Sequence, residues 1–509
     1  MSKTLVLALT ASLVLAGCGK DAAEQQADVA GSQQPWAEFA ATVIDDYYAR
    51  NPETAVDAGL HQYDGQMSDL SMAAVDEYAA WLDAVLAEAA TYADLEGIEA
   101  FERDYLSTAL QGELFWIRES GFLTSNPLAY AGAIGISVYV DREYAPLDQR
   151  LLAYTQYMEQ VPAMLEQMKK NLKPPLPAPY VEMGHRVFSG LVEYLSTTVP
   201  GIFSPVADEQ LQRRFKAAND AAVEAIQQSV EWLDGLKASA TDEFALGEET
   251  FLKMLSATQG VDISLEELTA AGQRNLDANL DMLFEACAEF APGESTEACV
   301  AKVSGNKPEG GAVAGARAQL PMLKEFVVDN NIASIPGTED ALVDEAPPHR
   351  RFNFAYINIP GPFETGLPST YYIAPPDPEW SEEDQLAYVP GEADLLAVSV
   401  HEVWPGHFLQ FLHSNRTENN VGQHFGTYTF SEGWAHYTEQ MMVDAGLGNG
   451  DPEVRIGQLL NALLRNVRYM SAIGLHTGGM TVEESQQMFE EKAFQDFGNA
   501  SQQAYRGTY

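Results

Sequence analysis

The chain has 509 residues, with 29 basic and 74 acidic side chains and a formal charge of −45. So acidic a molecule repels nucleic acid and anionic lipid and favours solubility, which argues against a nucleic-acid partner. Length alone suggests two or three domains, although a large helical enzyme can form one body divided by a cleft.

The first segment reads as an address. Lys3 precedes an apolar run, Leu5–Leu15, which has the length of a signal-peptide h-region and is too short to cross a bilayer. It ends in Leu15-Ala16-Gly17-Cys18, which resembles the bacterial lipobox, so residues 1–17 are expected to leave as a lipoprotein signal peptide and Cys18 to carry the lipid. An ordinary cleavable signal with a chance cysteine is the plainer alternative. Gly19, not Asp, follows the cysteine, and nothing in the motif calls for inner-membrane retention. The expected location is the periplasmic face of the bacterial envelope, at the outer membrane, with the lipid anchor as the membrane contact. Residues 18–35 are rich in Ala, Gln, Asp, Glu and Ser, cannot bury a core and read as a flexible tether. No second transmembrane segment is expected.

Residues 36–345 read as helical. Apolar residues recur at three and four in Phe39-Val43-Ile44-Tyr47, in Leu151-Tyr154-Tyr157-Met158-Val161-Met164-Leu165-Met168 and in Val223-Ile226-Val230-Trp232-Leu233. These Met and aromatic stripes are most simply core. Asp208, Asp242 and Ser264 precede acidic first turns and read as helix caps. Breaks at Lys173-Pro174-Pro175 and Val199-Pro200-Gly201 punctuate helices without separating domains. Cys287 and Cys299 flank Ala291-Pro292-Gly293, where a helix can turn back and bring the thiols together. In an exported protein that spacing favours a disulfide over a metal site or two free thiols.

The texture changes after Pro347-Pro348. Phe352–Ile359 alternates and Thr370-Tyr371-Tyr372-Ile373 is β-rich, which predicts a small antiparallel sheet next to the elements that follow. Tyr371 and Tyr372 are candidates to hold an extended substrate by strand pairing, against the plainer reading of a structural hairpin.

The chemistry gathers in residues 346–509. An apolar run, Ala393–Val400, leads into His401-Glu402-Val403-Trp404-Pro405-Gly406-His407, and Ser431-Glu432-Gly433-Trp434-Ala435-His436 follows. A catalytic zinc keeps three ligands of the His/Glu kind and one open position. His401, His407 and Glu432 supply that set, and Glu402 is the general-base candidate. The histidines stand at i and i+6, and six residues advance a helix by about 600°, leaving the rings about 120° apart. Pro405, which has no N–H to give and clashes with the preceding turn, and Gly406 are therefore expected to break the helix and swing His407 back.

At these residues the sequence resembles the bacterial family known as domain of unknown function 885, marked by His-Glu-x-x-Pro-Gly-His and then Glu-Gly-Trp-Ala. The likeness extends to Asn51-Pro52, Gly59, Asp64-Gly65 and Gly474-Leu475-His476, and so to nearly the whole mature chain. It implies a mainly α, zincin-like, peptidase-like body in a family whose substrates are largely uncharacterised. Chains of that family continue past the segment similar to Ala504–Tyr509 into a helix bearing a tyrosine, so a group that stabilises the transition state is expected beyond Tyr509.

Around the motifs, His476 or an arginine can aim a donor at the developing oxyanion, and His436, four residues past Glu432, can support a ligand from behind. Asp394, Glu439 and Arg465 carry no assignment from sequence. The expectation is a zinc-dependent, gluzincin-like metallopeptidase acting on oligopeptides, with the upstream helices walling its cleft. An inactive metal- or peptide-binding scaffold and a hydrolase of a non-peptide amide are the alternatives, and oligomeric state is left open.

Overall fold

The periodic stripes of the first half become buried faces of helices. In the computed structural model, which describes residues 34–509 apart from 352, 365 and 419, Leu151, Tyr154, Tyr157, Met158, Val161, Met164, Leu165 and Met168 all lie in one core with Ile226, Val230 and Leu233. The signal peptide, Cys18 and the tether up to residue 33 lie outside the described residues. Among the described residues no helix is long and apolar enough to cross a membrane. Asp208 and Ser264 cap the helices Glu209–Leu236 and Leu265–Phe290 as expected, Ser264 within a full capping box. Asp242 does not, because its helix starts later, at Glu248, behind Gly247.

The two halves of the chain share their cores. Trp36, Phe39, Val43 and Ile44 of the helix Trp36–Arg50 are buried together with Val421 and Phe425, and the Tyr48 hydroxyl meets His424 Nδ1 at 2.9 Å. Leu276, Leu283 and Cys287 of the helix Leu265–Phe290 are buried against Leu459, Leu460, Leu463 and Val467 of the helix Pro452–Ile473. Asn279 also donates to Asn466 across this pair at 2.6 Å. The upstream helical region and residues 346–509 are interleaved in one mainly α body. Cys287 and Cys299 form a disulfide in the same core.

The sheet differs from expectation in one respect that matters for the site. It has three strands, β1 (Ala341–Glu345), β2 (Ala355–Asn358) and β3 (Ser369–Ile373), in the order β1-β3-β2. β2 runs antiparallel to β3, but β1 pairs with β3 in parallel, so the sheet is mixed. β1 also falls before residue 346, inside the stretch read as helical. Its sequence, Ala-Leu-Val-Asp-Glu, is short and ends in two acids, and only a distant partner makes it a strand. β3 is thereby the central strand, with both edges already paired. Tyr371 and Tyr372 cannot pair a substrate: Tyr371 is wholly buried in the core, and Tyr372 turns toward a separate depression beside Asp141 and Thr370. The unpaired edges belong to β1 and β2, and of the two it is β2 that borders the large cavity described below.

The disulfide closes a loop between residues 12 apart, which corresponds to about 2–3 kcal/mol of stabilisation in the chain-entropy account. Mass mapping without reductant should recover Cys287 joined to Cys299, and the double Ser variant should fold with a lower unfolding midpoint; free thiols from oxidised protein, or an unchanged midpoint, would contradict this.

Candidate metal centre

The helix Glu392–Glu402 presents apolar residues all round and is accordingly buried on every side from Leu395 to Glu402. It packs on the helix Pro452–Ile473, where Gly457 lies so close to the Ala393 backbone that a Cβ there would collide with it. The helix stops at Glu402. The Val403 and Trp404 amides both turn to the Ser399 carbonyl, the Trp404–Pro405 peptide is cis, and a new helix begins at His407. Gly406 lies against the carbonyl oxygen of His401, and any Cβ at that position would overlap it. Trp434 closes the loop by donating its indole N–H to the Pro405 carbonyl at 2.9 Å. With the helix broken in this way, the His401 and His407 rings stand edge-to-face with centroids 4.7 Å apart.

Glu432 completes the group from the helix Tyr428–Asp444. Its carboxylate lies 3.5 Å from His401 Nε2 and 3.8 Å from His407 Nε2, and one donor atom from each of the three residues falls within 4.8 Å of the others. The far side of each ring is occupied. His401 Nδ1 faces Glu439 Oε1 at 2.8 Å, and His407 Nδ1 faces the Ser431 hydroxyl at 3.2 Å, which in turn donates to Gln410 Oε1. A carboxylate can only accept, and the Ser431 proton is committed to Gln410, so both imidazoles carry their proton on Nδ1 and turn an Nε2 lone pair toward Glu432. Arg465 Nη2 lies 3.1 Å from His401 Nδ1, but a donor has nothing to give to an N–H; its partner is the Glu439 carboxylate, at 3.2 Å.

Electrostatics follow from that packing. Burial and the Arg465 charge disfavour protonated His401, yet Glu432 and Glu439 outweigh them and raise its pKa. Burial and the charge on His401 push His407 down to about 4. Burial opposes ionisation of Glu432 and Glu439, but the surrounding histidines and Arg465 hold both well below the usual carboxylate range. Glu402 goes the other way. Burial, with Glu432 and Glu439 nearby, pushes it up to about 7 against the pull of His401 and Arg465. Burial likewise raises Asp394 to about 6, although Asn461 donates to it.

Two imidazole nitrogens and a carboxylate, with an acidic group fixing one ring from behind, form a donor set that suits a borderline divalent cation and leaves a coordination position free. The centre opens into a cavity of about 920 Å³, lined by Glu402, Asp394, Arg465 and residues 353–359 of the β2 segment. From residues 36–345 only Asp57, Arg142 and parts of the 297–307 stretch reach it, so the cleft wall comes mostly from the C-terminal third.

The remaining assignments change. His436 Nδ1 stands 3.6 Å from Glu439 Oε2, outside hydrogen-bond reach, one layer further from the ligands than Glu439 itself. His476 does not line the cavity. Its Nε2–H donates to the Gly507 carbonyl at 2.9 Å, its Nδ1 receives the Leu246 amide at 3.3 Å, and its ring stacks on Phe251, so it staples the backbone and has no donor left for an oxyanion. Glu439 and Arg465 are the residues sequence reasoning passed over. The signal for Glu439 is its spacing, seven residues and two helical turns past Glu432 on one face.

Fold and centre together define a mainly α-helical protein with a partly buried His-His-Glu centre suited to a metal ion. The chain belongs to the family of bacterial proteins of unknown function DUF885, which matches residues 52–509. Its fold is shared by a candidate lipoprotein of unknown function from Shewanella oneidensis, 24% identical, with a TM-score of 0.72 over 94% of this chain and 90% of that one. It is shared also by a candidate lipoprotein from Colwellia psychrerythraea, 15% identical, with a TM-score of 0.75 over 93% and 88% of the two chains. No curated protein matches the chain.

Metal titration of the purified protein should give one site per chain. His401→Ala, His407→Ala and Glu432→Ala should each abolish it, and Glu439→Gln should weaken it by roughly 10- to 100-fold and also lower the unfolding midpoint. Full retention in the three ligand variants would remove these residues from the centre.

Proposed function

We propose that the chain is a zinc-dependent hydrolase that cleaves peptide bonds of oligopeptides at the bacterial cell envelope. The observation that carries this reading is the convergence of His401, His407 and Glu432 beside a second, buried acid, Glu402, in a cavity bordered by the edge strand β2. A closed structural zinc site takes four protein ligands and has no use for a neighbouring base; three ligands and a base favour chemistry. When bound, the ion supplies Lewis acidity toward a carbonyl and lowers the pKa of water to about 7.

The chain's own groups supply the rest. The outer edge of β2 offers backbone donors and acceptors on which an extended peptide can lie. Glu402, held near neutrality by burial, takes a proton from water as it attacks the carbonyl and passes one to the departing amine. Glu439 and Ser431 keep both imidazoles in the tautomer that turns Nε2 inward throughout.

Envelope location rests on Leu15-Ala16-Gly17-Cys18 and on the description of both structural relatives as candidate lipoproteins. Cys18 is the lipidation site in this reading. Cys18→Ser should end incorporation of a fatty-acid analogue and move the protein to the soluble fraction; continued membrane association would refute the anchor.

Incubation of the zinc-loaded protein with a mixed peptide pool should yield products, and Glu402→Gln should lower kcat by about 100- to 10,000-fold with metal content and fold unchanged. Equal turnover by the variant would take the base away from Glu402.

A further inference from the structure

Five cationic side chains, Arg142, Lys307, Arg465, Arg468 and Arg506, line the cavity around the centre. Three are answered by acids. Arg142 pairs with Asp57 at 2.8 Å and with Glu364 at 3.1 Å, Arg465 with Glu439 at 3.2 Å, and Lys307 lies in the field of Asp394 and Asp496. Arg468 and Arg506 are not, in a chain with 74 acidic residues.

Their contacts are to neutral groups. Arg468 Nε donates to Gln503 Oε1 at 2.9 Å; Arg506 donates to Asn353 Oδ1 at 3.4 Å and to the Tyr428 hydroxyl at 2.6 Å. Among the described residues neither guanidinium forms an ion pair, and the terminal nitrogens of Arg468 are neither hydrogen-bonded nor sealed from the cavity. The charge of Glu432 reaches Arg468, but that carboxylate faces the two histidines. Burial and the charges of Arg506 and Arg465 all act against a protonated Arg468, so the cluster repels itself as it stands. A desolvated guanidinium with free N–H groups, repelled by a second one beside it, is complementary to an anion, above all a carboxylate held in bidentate fashion.

Their position gives that anion a direction. Tyr428, bonded to Arg506, is one helical turn before Glu432, and Arg468 is one turn past Arg465, so the pair stands within one or two residues' reach of the metal ligands. Asn353, also bonded to Arg506, lies just before the start of β2. A peptide antiparallel to β2, the commoner pairing, brings its C-terminal side to the start of that strand.

Resting on the hydrolase reading above, we propose that Arg468 and Arg506 form a carboxylate subsite on the C-terminal side of the scissile bond, so that the substrates are peptides with a free C-terminus from which one or two residues are removed. An acidic side chain at the same place offers the same chemistry and would relax the requirement for a chain end.

The test uses one unstructured peptide in three forms: free acid, C-terminal amide, and amide with Glu as the penultimate residue. Turnover is followed by the zinc-loaded wild type, Arg468→Gln, Arg506→Gln and Arg468→Lys, and affinity is measured on the Glu402→Gln protein with and without Arg468→Gln. Amidation should lower wild-type kcat/KM by about 10- to 100-fold, and Arg468→Gln or Arg506→Gln should lower it for the free acid by a similar factor while leaving the amide unchanged. Arg468→Lys should restore part of the loss. Rescue of the amide by Glu assigns the carboxylate to a side chain and upholds the subsite. Equal cleavage of acid and amide by wild type, or equal loss on both by Arg468→Gln, overturns the subsite and leaves the hydrolase standing. No cleavage, but tighter binding of the acid that depends on Arg468, upholds the subsite and overturns the hydrolase. Neither cleavage nor selective binding overturns both.

Discussion

Glu439 is a carboxylate without solvent exposure, and the geometry of the centre depends on how its charge is answered. An ionised group so deep is tolerable only if paired, and removing one partner of such a pair costs about 3–5 kcal/mol. Its partners come from two other helices: His401 from Glu392–Glu402 and Arg465 from Pro452–Ile473, with Glu439 itself on Tyr428–Asp444. Three helices that meet at one buried charge cannot slide past one another without stranding it. The same contact sets the His401 tautomer, so the group that locks the packing also orients one imidazole of the centre.

The second constraint is backbone on backbone. Gly457 lets the helix Pro452–Ile473 close on Ala393, and Gly406 lets the chain double back against the His401 carbonyl. Contacts of this kind have no rotamers to absorb error, so they set helix position more tightly than side-chain packing does. Pro405 ends the first helix, Gly406 permits the reversal, and Trp434, from the second motif, bonds to the Pro405 carbonyl and holds the turn shut. The two motifs are in this sense one structure, in which Glu432 supplies one member of the His-His-Glu group and Trp434, two residues on, secures the loop that delivers another.

Much of this was legible where chemistry is local. The i and i+6 spacing of His401 and His407, impossible on a straight helix, together with Pro405-Gly406 between them, announces both the break and its purpose. The apolar stripe from Leu151 to Met168 and the short Cys287–Cys299 loop likewise depend on near neighbours. What failed depends on distant pairing. Nothing within Thr370–Ile373 says that a parallel partner at Ala341–Glu345 will take its second edge and turn a candidate substrate strand into the middle of a sheet. His476 looks like a spare polar group until Leu246 and Gly507 claim both its nitrogens. Glu439 fails in the opposite way, since a lone Glu in a polar helix reads as solvated, and only the arrival of Arg465 and His401 makes it central.

The cavity then acquires a polarity that composition conceals. A formal charge of −45 would by itself make the molecule a poor host for acidic peptides. Screening confines surface charge to about 8–10 Å, however, so the affinity of a bound group is decided by what lies beside it. Beside the centre Glu432 and Glu439 are committed to the histidines and Arg465, Asp394 is held by Asn461, and burial discourages a charge on Glu402. Arg468 and Arg506 are the cations left over. The acidic exterior then discriminates against anions at long range, while the interior favours a carboxylate at one point. A ligand that satisfies both conditions has little negative charge overall and carries it at one end.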